Sequence, residues 1–296
     1  MASVILNRKI RCIMVNPTHR FLRTQGIMLL VATTLIWGTT SPITKAAVGS
    51  LSPDVLTATR FAVAAIAFTP FAIRSLNARL VRDAALLGLL LFASVASQTI
   101  ALKTISANRA AFIIGLDVIL VPLFGPLLRQ HVPARAFLAA GLAFTGIGLI
   151  SWEGGALRVG DLWMFGCTLS YSIYILMLDA VTQHYPSMQL TAIQLLIVAA
   201  LGTVWAIPDL LGQFGAISAN FYALLYLGLV ATAATTWIQA VAQRWVTIHE
   251  TALIYTLEPV FAAVFSFLLL GETLGTRGIL GAGLVLVGMV LSQNGR

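Results

Sequence analysis

Ten apolar runs follow one another along this chain, near residues 26–48, 53–73, 83–103, 107–128, 134–152, 160–180, 187–208, 220–243, 248–270 and 276–292. Their length is the constraint. About twenty residues of α-helix, rising ~1.5 Å each, match the ~30 Å hydrocarbon core of a bilayer. The gaps are short and hold turn residues such as Gly49, Pro53, Pro133, Gly154, Gly155 and Pro186. None has room for a soluble domain. Within lipid a backbone must satisfy its own N–H and C=O groups, so each run reads as a helix. Short gaps make each helix antiparallel to the one before it. Only 9% of the 296 residues are charged, against about a quarter in soluble domains. The expectation is an all-α membrane protein with ten transmembrane helices.

A net charge of +8 invites a nucleic-acid reading, but the positions of the charges argue against such a partner. Arg8, Lys9, Arg11, Arg20 and Arg23 sit in the N-terminal tail, and Arg74, Arg79 and Arg82 sit around the second gap. These flank spans, where basic residues set topology. The opposite loops and flanks carry fewer: Lys45, Lys103, Arg109, Arg158 and Arg277. The excess places both termini in the cytoplasm. The basic residues of the tail also interrupt every apolar stretch there, so it does not read as a signal peptide. Cys12 and Cys167 form neither a disulfide framework nor a metal spacing.

The two halves resemble each other. Leu56-Thr57-Ala58-Thr59-Arg60 matches Leu190-Thr191-Ala192-Ile193-Gln194 at an offset of 134, and the same offset lays Trp37 over Tyr171. Leu116-Asp117 falls over Leu257-Glu258 at offset 141, and Ala140-Gly141-Leu142 over Ala282-Gly283-Leu284 at offset 142. Each half holds five spans. An odd number inverts the second half in the membrane, and inverted repeats enclose a central site near the midplane. The organisation expected is a cytoplasmic tail over 1–25, one five-helix repeat over 26–153 and a second over 160–292. Glycines of spans 5 and 10 (Gly141, Gly146, Gly148; Gly278, Gly281, Gly283, Gly288) suit close helix packing, within one chain in preference to a dimer face.

The chemistry concentrates in 248–272, IHETALIYTLEPVFAAVFSFLLLGE with its final residue Glu272. Glu258 falls near the middle of a span, where an ionisable side chain is costly and points to function; holding the bundle together is the alternative. Pro259 lacks an N–H and loosens the helix one turn back. Tyr255, three residues before Glu258, shares its face. Asp117 is the counterpart of Glu258 in span 4. Two desolvated carboxyls facing one cavity would suit proton carriage, so protons are a candidate coupling ion. Arg60 is the basic residue well inside a span; it could partner a carboxylate, and the expectation is that it snorkels outward.

Aromatic and neutral polar residues mark further candidate cavity faces. They are Trp37, Thr40, Ser41 and Thr44 with Pro42 in span 1, and Ser94, Ser97 and Gln98 in span 3. Span 6 has Trp163, Cys167, Ser170, Tyr171 and Tyr174; span 8 has Thr232, Thr236, Trp237, Gln239 and Gln243. Trp163, close to its span's start, is equally placed to anchor at the interface. Such faces suit a small, partly apolar metabolite better than a phosphate ester, which needs inward Arg or Lys. No His-Glu-x-x-His, Gly-x-Ser-x-Gly or phosphate loop is present, so no enzyme, cofactor or metal is expected.

Leu35-Ile36-Trp37-Gly38-Thr39-Thr40-Ser41-Pro42-Ile43-Thr44-Lys45 resembles the first-span pattern of EamA-type members of the drug/metabolite transporter superfamily. Leu257-Glu258-Pro259-Val260-Phe261-Ala262-Ala263, ending in Gly271-Glu272, resembles the ninth-span pattern, and Val121-Pro122-Leu123 fits span 4. The resemblance covers roughly 26–292. It implies ten helices in two inverted five-helix repeats around a central cavity lined by helices 1, 3, 4, 6, 8 and 9. It implies export of metabolites, most closely hydrophobic or aromatic amino acids, across a bacterial inner membrane, with multidrug or cationic-compound export as the rival. The Glu-Pro pair is general to the pattern across substrates. Asp117 stands where the pattern has a neutral residue, and serves either specificity or coupling. The substrate-binding residues expected are Trp37, Ser41, Ser94, Gln98, Asp117, Trp163, Tyr171, Trp237, Tyr255 and Glu258. Pro42, Pro122 and Pro259 are the expected hinges. The expected partners are a small-molecule substrate and the lipid bilayer, with the chain a monomer or weak dimer.

Overall fold

Every regular element among the residues described by the computed structural model, 17–72, 77–124, 134–152 and 158–293, is helical. The order is α1 (Pro17–Ala47), α2 (Pro53–Ala72), α3 (Ala78–Leu102), α4 (Ala107–Ile114), α5 (Asp117–Leu123), α6 (Ala134–Trp152) and α7 (Val159–Thr182). It continues with α8 (Ser187–Ala206), the short α9 (Phe214–Ala219), α10 (Phe221–Ala242), α11 (Ile248–Tyr255), α12 (Glu258–Leu270) and α13 (Thr276–Gln293). Among the described residues, seven helical spans are long and apolar enough to cross a membrane: α1, α2, α3, α7, α8, α10 and the stretch Leu253–Leu270. Two more, within α6 and α13, are shorter apolar helices. The protein is a multi-pass membrane protein.

The ends of these helices follow from local chemistry. Pro53 opens α2, where a missing N–H costs nothing, and Asp54 adds an acidic group to the first turn. The Asn77 side chain accepts from Arg79 N and starts α3. Gly271 closes α12 at φ 64°, a left-handed turn that a residue with a Cβ resists. That turn sends Glu272 back towards the bundle.

Helix pairing follows the repeat. α2 packs on α8 and α6 on α13, each with its own counterpart; α3 packs on α7, and α10 on α1, its counterpart pair. α12 packs on α1, matched by α5 on α7. In lipid, tail and side chain are equally apolar, so close backbone approach rather than water exclusion holds such pairs. Gly146 on α6 and Gly281 on α13 meet in this way: a Cβ on either would press on the other's carbonyl. Gly288 abuts Ala139 of α6, while Gly141, Gly148 and Gly283 have open space beside them. Three of the seven glycines of the pattern are thus spent on packing within one chain.

The repeat is clearest at two interrupted helices. α4 stops at Ile114 and α5 begins at Asp117; α11 stops at Tyr255 and α12 begins at Glu258. The N-caps Ser106 and Thr247, the stops 114 and 255, and the restarts 117 and 258 are each 141 residues apart. Pro259 accounts for the second break. It stands in the first turn of α12, where no N–H is needed. The first break has no proline beside it. Gly115 lies there instead, and a Cβ on it would come within 2.8 Å of Pro259 Cγ and would also meet Met289. The two breaks therefore face each other at the crossing of the two halves. At Pro42, α1 continues as one helix. Pro122 falls within α5, but its side chain lies outside the described residues.

Candidate cavity between the repeats

Helices of both halves surround one cavity of about 580 Å³, counted out to its mouth. α1 contributes Trp37 and Thr40, α2 Arg60 and Phe61, and α3 Leu91, Ser94, Val95 and Gln98. From α7 come Tyr171 and Tyr174, from α10 Thr232, Thr236 and Gln239, and from α12 Glu258.

The aromatic wall is built across the repeat boundary. The Trp37 ring meets Tyr171 edge-on at 5.9 Å and Tyr255 at 5.2 Å, and Tyr171 stacks on Tyr174 at 5.5 Å. Such pairs are worth about 0.5–1.5 kcal/mol each beyond their buried area. Tyr171 Oη donates to Gln239 Oε1 at 3.3 Å, and Tyr174 Oη to Gln194 Oε1 at 3.2 Å. The Ser94 hydroxyl and the Cys167 thiol are 3.3 Å apart. These bonds hold the rings in place and leave a surface that is flat, aromatic and sparsely charged.

Two carboxyls mark the breaks. Glu258 lines the cavity; Asp117 is 2% exposed, is not among the lining residues, and its Oδ1 has no hydrogen-bond partner. The two are within electrostatic reach of each other. Each opens a half-helix, where the dipole favours negative charge. Their place in the first turn is a structural reason for acidic residues at both positions, besides any role toward cargo.

Arg60 departs from the expectation. It does not snorkel: it is 6% exposed and turned across to α10, where Nε donates to Thr232 Oγ1 at 2.6 Å. The reason is the geometry of α10. Its residues Tyr226–Ala234 form a π-helical stretch, a wider turn often found at functional sites. There Gly228 lies against the Arg60 carbonyl and Val63, which brings α10 close to α2.

The other expected site residues fall in different places. Ser94, Gln98, Trp37, Tyr171 and Glu258 line the cavity. Tyr255 is buried behind Trp37, and Ser41 is buried away from the lining. Trp237 is half-buried and not on the cavity wall. Trp163 is 43% exposed and does not line the cavity. At that end α7 turns its Gly160–Asp161–Met164 side inward, with Gly160 against Ala101 of α3 and Thr104 just beyond it, so Trp163 points out. Its position suits an interfacial anchor. Phe61, Leu91, Val95 and Ile114 also line the cavity, and no polar signal in the sequence distinguishes them from core. Among the described residues no cluster of His, Cys, Asp and Glu has metal-binding form.

Two ion pairs tie the halves together at corresponding ends. Arg109 at the start of α4 pairs with Asp161 at the start of α7; Arg23 near the start of α1 pairs with Glu250 at the start of α11. The charges are exchanged between repeats. The first pair is buried, with side chains 8% and 0% exposed; the second is at 59% and 24%. Asp161 also accepts from Arg158 N at 2.7 Å. Beside the first pair, Glu272 accepts from Ala107 N and Asn108 N at 3.0 Å each, and so caps α4 from the end of α12. Lys45 Nζ donates to Leu102 O at 2.7 Å at the same end. These pairs are not among the expectations drawn from the sequence. A signal was present: Thr247-Ile248-His249-Glu250 is a capping box, with Thr247 accepting from Glu250 N and Glu250 from Thr247 N.

The EamA-like transporter family matches the chain twice, over residues 24–152 and 158–293. Two relatives from Archaeoglobus fulgidus, each named an uncharacterized transporter, are similar to it. One is 28% identical over 263 residues, covering 88% of this chain and 83% of the relative. The other is 25% identical over 272 residues, covering 90% and 96%. A solved crystal structure of a protein superimposes with a TM-score of 0.68 at 17% identity, covering 91% of this chain and 96% of that one. That likeness shows the fold alone.

Proposed function

Because this chain belongs to the EamA-like transporter family, of the drug/metabolite transporter superfamily, we propose that it is a secondary transporter exporting small metabolites, with hydrophobic and aromatic amino acids as cargo. The cavity carries this reading: an aromatic wall of Trp37, Tyr171 and Tyr174 beside the neutral donors and acceptors Ser94, Gln98, Thr236 and Gln239. The rings offer stacking surface and the amides and hydroxyls fix orientation. A phosphate ester would meet one arginine and the repelling Glu258, a poor cradle.

The reading extends to topology. Taking α4 with α5 and α11 with α12 as single interrupted crossings gives ten crossings, in two repeats of opposite orientation. Both termini lie in the cytoplasm, in a bacterial inner membrane, as the basic flanks of the first half favour. The halves rock about the cavity and expose it to each side in turn. The Arg109–Asp161 pair then fastens the outer end and the Arg23–Glu250 pair the inner end. Opening either end breaks its own fastening.

Purified protein in proteoliposomes tests this with labelled phenylalanine, with and without a pH gradient, and lipophilic cations as competitors. Saturable phenylalanine uptake supports the reading, and dependence on the gradient adds proton coupling. Saturable movement of the cations with none of phenylalanine replaces it with the cationic-compound exporter.

A further inference from the structure

A guanidinium has no easy place inside a bilayer. At the centre of a spanning helix such a charge faces a cavity or a counter-charge, or it snorkels out. Arg60 faces the cavity and is held there by neutral groups. Its Nε is taken by Thr232 Oγ1 at 2.6 Å, and its Cζ lies 5.7 Å from the centre of the Phe61 ring. Nη2 has only a long 3.5 Å contact to Ala231 O. Among the described residues no carboxylate lies within ion-pair distance of Arg60. The Nη1–Nη2 edge is the face with which arginine takes a carboxylate in two parallel bonds. The same cavity is lined by Glu258, which does not pair with Arg60.

We infer that Arg60 binds a carboxylate of the cargo, and that with Glu258 it forms a two-pole site for zwitterions. The carboxylate docks at Arg60, the ammonium at Glu258, and the side chain lies on Trp37 and Tyr171. The Thr232 bond aims the guanidinium, and the π-helical stretch of α10 brings Thr232 within reach. The ammonium pole rests on the amino-acid reading above; the carboxylate pole stands on Arg60 alone. Arg60 as a mere bolt between α2 and α10 is the competing account, and it predicts no discrimination by cargo charge.

Four probes sharing one phenyl ring separate these accounts in proteoliposomes of the full chain: phenylalanine, phenylalaninamide, 3-phenylpropionate and phenethylamine. Each is measured by its apparent affinity as substrate or competitor. Wild type is expected to prefer phenylalanine over phenylalaninamide by about 30-fold or more, the scale for unpairing one side of a buried charge pair. Arg60→Gln is expected to remove that ratio and to leave phenethylamine within about 3-fold of wild type. Arg60→Lys should keep an intermediate ratio, since it retains the charge and loses the two-bond geometry. The comparison is a ratio within one variant, so a loss of folded protein cancels. Should Arg60→Gln fail to fold, the Lys variant decides: an intermediate ratio supports the pole and a wild-type ratio overturns it. No preference in wild type, or equal weakening of all probes in Arg60→Gln, also overturns the inference. Transport of 3-phenylpropionate without phenylalanine would end the amino-acid reading and leave the Arg60 pole standing. Transport of phenethylamine and phenylalaninamide alone would end both.

Discussion

Removing Arg109 should unfasten one end of the transporter, and removing Arg23 should barely loosen the other. Both residues join the repeats through an acidic partner, at corresponding ends and with charges exchanged. They differ in burial. Arg109→Ala leaves Asp161, 0% exposed, as an unpaired buried carboxylate. Breaking a buried pair from one side costs about 3–5 kcal/mol. Arg23→Ala breaks a pair whose arginine is 59% exposed, worth about 0–1 kcal/mol. On the alternating-access reading proposed above, the Arg109–Asp161 pair is made only while its end is closed, so its loss falls on the closed form. A difference of ~3 kcal/mol is a population shift of roughly 100-fold, and ~1 kcal/mol roughly 5-fold. The assay is labelling of Thr236→Cys, on the cavity wall, with Cys12 and Cys167 replaced, by a membrane-impermeant maleimide. It is applied to each face in right-side-out and inverted vesicles. Arg109→Ala should raise labelling from the face where α4 begins by up to about 100-fold; Arg23→Ala should change it by ~5-fold at most from either face. Equal effects of the two variants, or unchanged labelling in Arg109→Ala, would refute the reasoning.

Three further outcomes follow from the packing. Gly146→Leu should lower thermal stability in detergent and Gly148→Leu should not, since Gly146 touches Gly281 while Gly148 faces open space; overpacking costs about 1–3 kcal/mol. Glu272→Gln should destabilise by about 1 kcal/mol through the weakened cap on α4, read as a lower melting temperature. Trp37→Ala should weaken phenylalanine competition by about 10-fold or more while leaving alanine competition little changed, because the lost surface is the aromatic wall.

What could be read from the sequence was whatever depends on length and spacing. Seven of the ten apolar runs hold helical spans of crossing length among the described residues, and the offset of 141 that joins Asp117 to Glu258 also joins the two helix breaks. The Tyr255–Glu258–Pro259 stretch broke where a proline demands it. What could not be read was rotation about the helix axis. In water a polar face tells which side looks outward; in lipid both the core and the surface are apolar, so Trp163 and Tyr174, eleven residues apart on one nominal face, point to different surroundings. The break at Gly115 has no proline to mark it, and the groups that lie against it, Pro259 and Met289, are far away in the chain. Arg60 stays inside because α10 presents it with a hydroxyl, which its distance from the interface does not reveal.

On the proposed reading, one cavity holds an aromatic amino acid and opens to both sides in turn. Counterflow measures this most directly: proteoliposomes loaded with unlabelled phenylalanine are diluted into a trace of the labelled compound. The account predicts a transient accumulation of label above equilibrium, absent from empty liposomes and from liposomes loaded with glucose. A flat time course with phenylalanine and with every other hydrophobic amino acid would contradict it.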